Sequence, residues 1–416
     1  MNLAYQIAKT HLISKPKQTI VAMLGVTFGI AMFITMVGLM TGLNNFTEEL
    51  TMTSTPDIRI YHDITEPRQS ILEETNQGKG LLVVHHQKPK SETPKIRNAF
   101  QIASLLQQDP MVLGAAPLLS SQVFYNYGPV QLNGTIAGVD IMEEDKLFDL
   151  RHKIKTGQLE DLLVSQDGII MGTGLARKLN AQTGDRVVIT TPEGYTMTLK
   201  IVGTFQMGLG AIDNVKAYAN ISTVQKILQK DQNYVTDINI KLKDINAAKP
   251  KAAELQRLFR YKAEDWETAN ATFLTGSIIR NILTYSVSIT LLIVAGFGIY
   301  NILNMTIYNK MKDIAILKAT GFAAADVRNI FLIQSLVIGL IGSVLGLVIG
   351  FGLSYLVSQV PFNGGDFISI DTLPVNFDPK YYIIGIVFGL VTTAFAGYLP
   401  SRNAGKVDPI EIIRGQ

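Results

Sequence analysis

Tyr308 to Arg328 reads YNKMKDIAILKATGFAAADVR, a short mixed-charge stretch between two long apolar runs, Ile278 to Ile307 and Ile330 to Val357. Each run exceeds the roughly 20 residues an α-helix needs to cross a bilayer. The stretch between them carries Lys310, Lys312, Lys318 and Arg328. Short loops rich in Lys and Arg stay on the cytoplasmic side of a membrane. The spacing predicts a small helix, Met311 to Lys318, held at the inner surface by two membrane helices. Such a piece cannot move without moving them.

Two further apolar runs, 20–43 and Tyr381 to Leu399, make four predicted spans. The 416 residues carry a formal net charge of +3, and the mean hydropathy is +0.22. The fold class is therefore an α-helical membrane protein with four transmembrane helices and a large α+β extracytoplasmic domain inserted between the first two. Charge bias assigns each segment. Residues 1–19 form an interfacial cytoplasmic helix, 20–43 the first span, 44–277 the outer domain and 278–307 the second span. Residues 308–329 are the inner segment, 330–357 the third span, 358–380 an outer loop, 381–399 the fourth span and 400–416 an inner tail. Both termini are then cytoplasmic. Leu3, Ile7, Ala8 and Leu12 share one face of the first helix, which suits the headgroup region; a plain lead-in fits as well.

Within the outer part, Asp57 to Tyr61 alternates polar and apolar, as a half-buried strand does. Glu66 to Arg97 is polar and rich in Gly and Pro, predicting a mobile loop or insertion. Ile96 to Gln108 reads as a helix, and Val123 to Val139 as a hairpin turning at Tyr127-Gly128-Pro129. Gly168 to Gly172 reads as a buried strand, Gly174 to Leu179 as a short helix and Gly184-Asp185 as a tight turn. Arg186 to Thr191 and Tyr195 to Phe205 form a hairpin around Pro192-Glu193-Gly194. Lys216 to Ile221 and Asp237 to Leu242 are predicted strands; Ser222 to Gln229 and Ala247 to Arg260 are predicted helices.

The chemistry is mostly one of exclusions. There is no cysteine, so thiolate catalysis, cysteine zinc sites and disulfides are ruled out. No G-x-x-x-x-G-K-[ST] occurs, so the chain offers no phosphate-cradling loop of its own, and no H-E-x-x-H or G-x-S-x-G is present. No catalytic residue, metal site or bound cofactor is predicted. The near-balanced charge argues against nucleic acid as a partner. The spans are almost free of charge, which counts against ion coupling and favours energy delivered from outside the membrane. Glycines recur at four-residue spacing: Gly25 and Gly29, Gly38 and Gly42, Gly342, Gly346 and Gly350, and Gly385 and Gly389. That spacing suits close helix packing; in the first span, chance spacing stays open.

Lys312 to Gly321 (KDIAILKATG), followed by Asp326-Val327-Arg328 and the glycine-rich third span, resembles the signature of FtsX-like permeases. Tyr398 to Arg414 (YLPSRNAGKVDPIEIIR) resembles that family's ending. These are the membrane subunits of MacB-type, or type VII, ABC transporters. Within them, Gly168 to Leu179 with Gly184-Asp185, Trp266, and Leu373 to Pro379 (LPVNFDP) resemble the lipoprotein-releasing (Lol) subunits. The resemblance implies a MacB-like periplasmic core and a bacterial inner-membrane location. It implies two ABC ATPase subunits per complex, holding ATP and Mg, and a second membrane subunit, identical or homologous. By matching position, Asp313 to Gly321 is the helix that docks on the ATPase, with Lys312, Asp313, Ile314, Ala315, Ile316, Leu317, Lys318 and Gly321 as coupling residues. The implied work is extraction of a lipoprotein. The alternatives are efflux of a drug, peptide or glycolipid through a periplasmic adaptor, and regulation of a cell-wall hydrolase. The turn Thr190 to Tyr195 is short where the carrier-recruiting Lol subunit projects a long hairpin, so a periplasmic carrier falls to a homologous partner, or the substrate differs. For the substrate path, Met32, Phe33, Met36, Met40, Ile289 and Ile293 are candidates to line an apolar cleft between the outer halves of the first two spans, since Met adapts to varied acyl chains; ordinary packing or lipid-facing roles fit them equally.

Overall fold

The computed structural model describes residues 3–14, 16–63, 93–362, 372–406 and 412. Most of the predicted loop at Glu66 to Arg97, and parts of the outer loop and tail, lie outside them. The chain divides into two compact units, one holding the N-terminal and C-terminal helices and the other Glu48–Leu274.

The membrane unit contains α1 (Leu3–Ser14), α2 (Pro16–Ser54), α3 (Ala271–Asn309), α4 (Met311–Ala319), α5 (Ala324–Ser358) and α6 (Pro379–Gly405). Four of these, α2, α3, α5 and α6, are long and apolar enough to cross a membrane. Pro16 opens α2 at a position where its missing N–H costs nothing. Both α2 and α3 have 39 residues. At 1.5 Å per residue each is about 58 Å long, nearly twice the roughly 30 Å hydrocarbon core. They outrun the apolar spans 20–43 and 278–307 at both ends. Helix α6 passes through Pro400, where the predicted span stops at Leu399, and ends at Gly405.

Glycine sets the seam between α5 and α2. A Cβ built on Gly342 would lie 2.9 Å from Cβ of Val26; on Gly346, 2.9 Å from Cβ of Ile30; on Gly350, 3.0 Å from Cβ of Ile34. Backbone approach of this kind bares helix carbonyls, and Thr27 Oγ1 donates to Gly342 O at 3.1 Å. Gly385 and Gly389 bring α6 against Phe33, Ile34 and Ile30. The first-span glycines divide. Gly29 is buried. Gly25 is exposed with nothing within 4 Å of its would-be Cβ, so it makes no close packing within this chain. Gly38 and Gly42 do make room, but for an extended backbone rather than a helix: Asn376 N–H donates to Gly38 O at 2.8 Å, and a Cβ on Gly42 would strike the carbonyl of Pro374.

The outer unit is a ten-stranded mixed sheet with order β10-β1-β9-β2-β3-β8-β5-β7-β4, and β6 pairs with β2 and β7. The strands are β1 (Ile58–Tyr61), β2 (Val112–Tyr127), β3 (Val130–Val139), β4 (Ile154–Thr156), β5 (Gly168–Gly172), β6 (Arg186–Thr190), β7 (Thr196–Phe205), β8 (Lys216–Asn220), β9 (Asp237–Leu242) and β10 (Lys262–Asp265). The β2–β3 turn falls at Gly128-Pro129, with Gly128 at φ 56°, as a two-residue hairpin loop requires. Strand β2 starts at Val112, earlier than the predicted Val123. Gly114 and Pro117 break the alternation there, yet both pair with β9. The predicted helix at Ile96 is shorter, Ala99–Leu106, because Asn98 stands in the left-handed region at its start. Leu119, Tyr125, Ile136, Ile169, Leu199 and Ile201 centre the largest apolar cluster.

Candidate functional site

Helix α4 lies between α3 and α5 in the chain and has two faces. Ile314 and Ala315 are buried. Ile314 joins a cluster with Ile307 of α3, Val327 and Phe331 of α5 and Ala404 of α6. Lys318 Nζ donates to the carbonyl of Gly405 at 3.1 Å, tying the end of α4 to the end of α6. The ring of His11 on α1 lies 6.1 Å from that of Phe331. One short helix thus touches the ends of three membrane helices. Its other face is open: Lys312, Asp313 and Ile316 are exposed, Ile316 by 56%. Asp313 pairs with Lys310 at 2.6 Å. Leu317 is partly buried.

The stop signal of α4 is local chemistry. Gly321 N–H donates to Lys318 O at 3.1 Å and Phe322 N–H to Leu317 O at 3.2 Å. This double closure is the Schellman pattern, and Gly321 takes the positive φ it needs, 103°. Asp326 then accepts from Ala323 N–H at 3.0 Å, which is half of a capping box and starts α5.

A second junction lies at the base of the outer unit, and the sequence patterns did not reveal it. Asp57 and Lys241 form a buried ion pair at 2.7 Å. Lys241 Nζ also donates to Met52 O at 2.6 Å in the last turn of α2, where a cation suits the helix dipole. Asp57 Oδ2 accepts from Leu242 N–H at 2.8 Å, and Asp57 O accepts from Trp266 N–H at 2.9 Å. Strand β1 follows α2 directly, and β10 precedes α3; the two strands pair along their whole length, Ile58 opposite Asp265. The two long helices therefore lead into neighbouring strands of one sheet edge.

The cleft candidates scatter. Phe33 is buried in a cluster with Val26, Ile30, Ile34, Ile299 and Leu303. Met32, Met36 and Met40 are partly buried. Ile289 and Ile293 are about half exposed, at 48% and 52%. Ile293 lines an apolar groove of about 520 Å³ with Phe297, Tyr300, Val391 and Phe395, formed by α3 and α6 and not by α2. Among the described residues, no three His, Asp or Glu side chains gather where they could hold a metal ion.

Residues 19–258 match the MacB-like periplasmic core domain, and residues 285–409 match the FtsX-like permease C-terminal domain. The chain is 27% identical over 341 residues to the lipoprotein-releasing system transmembrane protein LolC of Xylella fastidiosa, covering 75% of this chain and 80% of that protein. It is 24% identical over 427 residues to the macrolide export ATP-binding/permease protein MacB of Acinetobacter baylyi, covering 98% of this chain and 58% of that protein. It also resembles the crystal structure of the periplasmic region of MacB from Actinobacillus actinomycetemcomitans, with TM-score 0.34 and 15% identity over 53% of this chain and 94% of that one. With one domain family matching most of the chain and a second matching the helices after it, this polypeptide belongs to the FtsX-like, MacB-type ABC transporter permeases.

Proposed function

We propose that this chain carries force from a cytoplasmic ATPase to its own extracytoplasmic domain, and that the work done there is extraction of a lipid-anchored protein from the membrane. The observation that carries the first half is the two-faced α4. Its exposed Lys312, Asp313 and Ile316 offer a docking surface, while Ile314 and Lys318 grip the inner ends of α3, α5 and α6. A push on the open face must shift those helices. Helices α2 and α3 then deliver the movement to β1 and β10, with the Asp57–Lys241 pair fastening the end of α2 to the sheet. ATP and Mg belong to the partner ATPase, two copies per complex beside a second membrane subunit. Both termini lie in the cytoplasm.

The lipoprotein substrate rests on the likeness to LolC. Efflux of a drug, peptide or glycolipid through an adaptor is the second reading, favoured by the match to MacB over 98% of this chain and by the short β6–β7 connection, where Thr191 N–H closes on Tyr195 O at 2.9 Å.

The test reconstitutes the chain with its genomic-neighbour ATPase in proteoliposomes. Asp313→Lys reverses the charge on the open face. Gly321→Pro removes the N–H that closes α4 and demands a negative φ where 103° is present. Both variants are expected to assemble yet to lose substrate-stimulated ATP hydrolysis. Normal stimulation in both refutes the coupling role. Intact coupling with no release of lipoprotein removes that substrate alone.

A further inference from the structure

Arg280 is the only charged residue within the four apolar runs 20–43, 278–307, 330–357 and 381–399. It lies three residues into the second run, at the end nearest the extracytoplasmic domain. An arginine so near the end of a span would ordinarily snorkel to the interface, yet this one is held against the neighbouring helix. Its side chain reaches from α3 to α2, where Nε donates to Asn44 Oδ1 at 2.9 Å. Asn44 is buried and in turn donates through Nδ2 to Asn281 Oδ1 at 2.8 Å. The amide oxygens are thereby engaged, and none of these partners carries a negative charge. Among the described residues no carboxylate pairs with Arg280.

The other edge of the guanidinium is unsatisfied. Nη2 is enclosed and has no hydrogen-bond partner among the described residues. Nη1 points one turn back along α3, and a Cβ on Gly276 would stand 3.5 Å from it, so the glycine leaves that side uncrowded. A guanidinium edge with two free N–H groups matches a pair of anionic oxygens in one plane. At the outer boundary of the hydrocarbon layer, such oxygens are carried by lipid headgroups.

We infer that the Nη1–Nη2 edge of Arg280, oriented by Asn44 and Asn281, binds the phosphate of a lipid headgroup in the outer leaflet at the crossing of α2 and α3. The anion supplies the counter-charge that Asn44 and Asn281 lack; the acidic residues of α2, Glu48 and Glu49, are exposed, and among the described residues neither forms an ion pair with Arg280. The inference needs the chain to span a membrane but not any particular cargo. The phosphate can come from bulk phospholipid, or a lipid-anchored substrate can present its own anionic group to the same edge.

The test is native mass spectrometry of the full-length chain in detergent, titrated with phosphatidylglycerol and, separately, with diacylglycerol, which has the same chains and no phosphate. Arg280→Gln is expected to weaken phosphatidylglycerol retention about tenfold, the scale of one lost charge-assisted hydrogen bond, and to leave diacylglycerol unchanged. Asn44→Asp keeps the arginine and gives it an internal counter-charge. It is expected to weaken phosphatidylglycerol retention similarly while the melting temperature holds or rises, and it decides the matter should the first variant fold poorly. Retention of phosphatidylglycerol at the wild-type level in a folded variant of either kind overturns the inference. A lipid-anchored peptide that competes with phosphatidylglycerol only when Arg280 is present identifies the substrate as the source; absence of competition assigns the site to bulk phospholipid.

Discussion

In the outer unit the core of the sheet is filled by bulky side chains; in the membrane unit α5 meets α2 where side chains are missing. Strand β5 is buried along its whole length, with Ile169 and Met171 packed among Leu119, Ile136, Leu199 and Ile201 and Ile170 on the opposite face. Helix α5 reaches α2 through Gly342, Gly346 and Gly350, and the same interior holds Ser335, Ser343, Thr393 and Ser401, all nearly inaccessible. The difference follows from the solvent. In water, burying apolar area is itself favourable, so bulk is useful. In lipid, the surroundings are as apolar as leucine, and close backbone approach with dispersion and hydrogen bonds must hold the helices. The polar groups differ too. The outer unit keeps a buried ion pair, Asp57–Lys241, and a buried carboxylate, Glu144, with both oxygens unpartnered among the described residues. In the membrane unit the hydroxyls of Ser335, Thr393 and Ser401 donate within their own helices, while Ser343 Oγ has no partner among the described residues.

Three tests, using four substitutions, sharpen this contrast. The largest effect is expected from Asp57→Ala, which strands the Lys241 ammonium in a buried site and should cost about 3–5 kcal/mol in thermal or denaturant unfolding of the full chain. A loss below about 1 kcal/mol, the scale of a surface pair, would show that the site is wet.

Next comes Glu144. Burial pushes its carboxyl up to about 7, against the opposing Lys216 ammonium. The folded state therefore holds a proton that the unfolded state releases near the ordinary value of 4.5. Stability contributed here is full below that value and is lost as pH rises through about 7. Glu144→Gln should abolish this slope and stabilise the outer unit at pH 8 by up to about 3 kcal/mol. Parallel pH profiles for wild type and variant would remove the argument.

The smallest effect is a matched pair in the membrane unit. Gly346→Leu drives a side chain into Ile30 and the Thr27 carbonyl and should cost about 1–3 kcal/mol. Gly25→Leu meets open space and should stay within about 0.5 kcal/mol. Equal losses in detergent unfolding would mean that spacing alone, and not the neighbour, governs these glycines.

Much of this is legible in the sequence. The short inner helix was visible as Lys312 to Lys318 between two apolar runs, because charge and hydropathy are properties of each residue. The hairpins at Gly128-Pro129 and Gly194 were visible because a positive φ leaves few residue choices. Strand β9 was legible to its ends for a similar local reason. The lengths of α2 and α3 were not. Their outer turns are polar, and nothing in a hydropathy pattern distinguishes a helix that stops at the membrane surface from one that continues as a rod.

The candidate site divides the same way. Asp313 and Gly321 could be singled out from the sequence, but which face of α4 is open depends on Ile307, Val327, Phe331 and Ala404, contributed by three other helices. The junction of Met52, Asp57 and Lys241 is not visible in the sequence, since Lys241 lies far along the chain from Met52 and Asp57 and only the pairing of β1 with β9 brings it to them. The cleft residues on α2 and α3 have the composition expected of a lining, yet Phe33 turned into the core and Ile293 toward α6. The sequence by itself determined the four spans, the inner helix and the identity of the turns, because those depend on single residues or short windows and on the surrounding solvent. Tertiary structure alone decided which glycines are contacts, which face of α4 is free and where α2 is fastened, because each of these is a property of two segments that only folding places side by side.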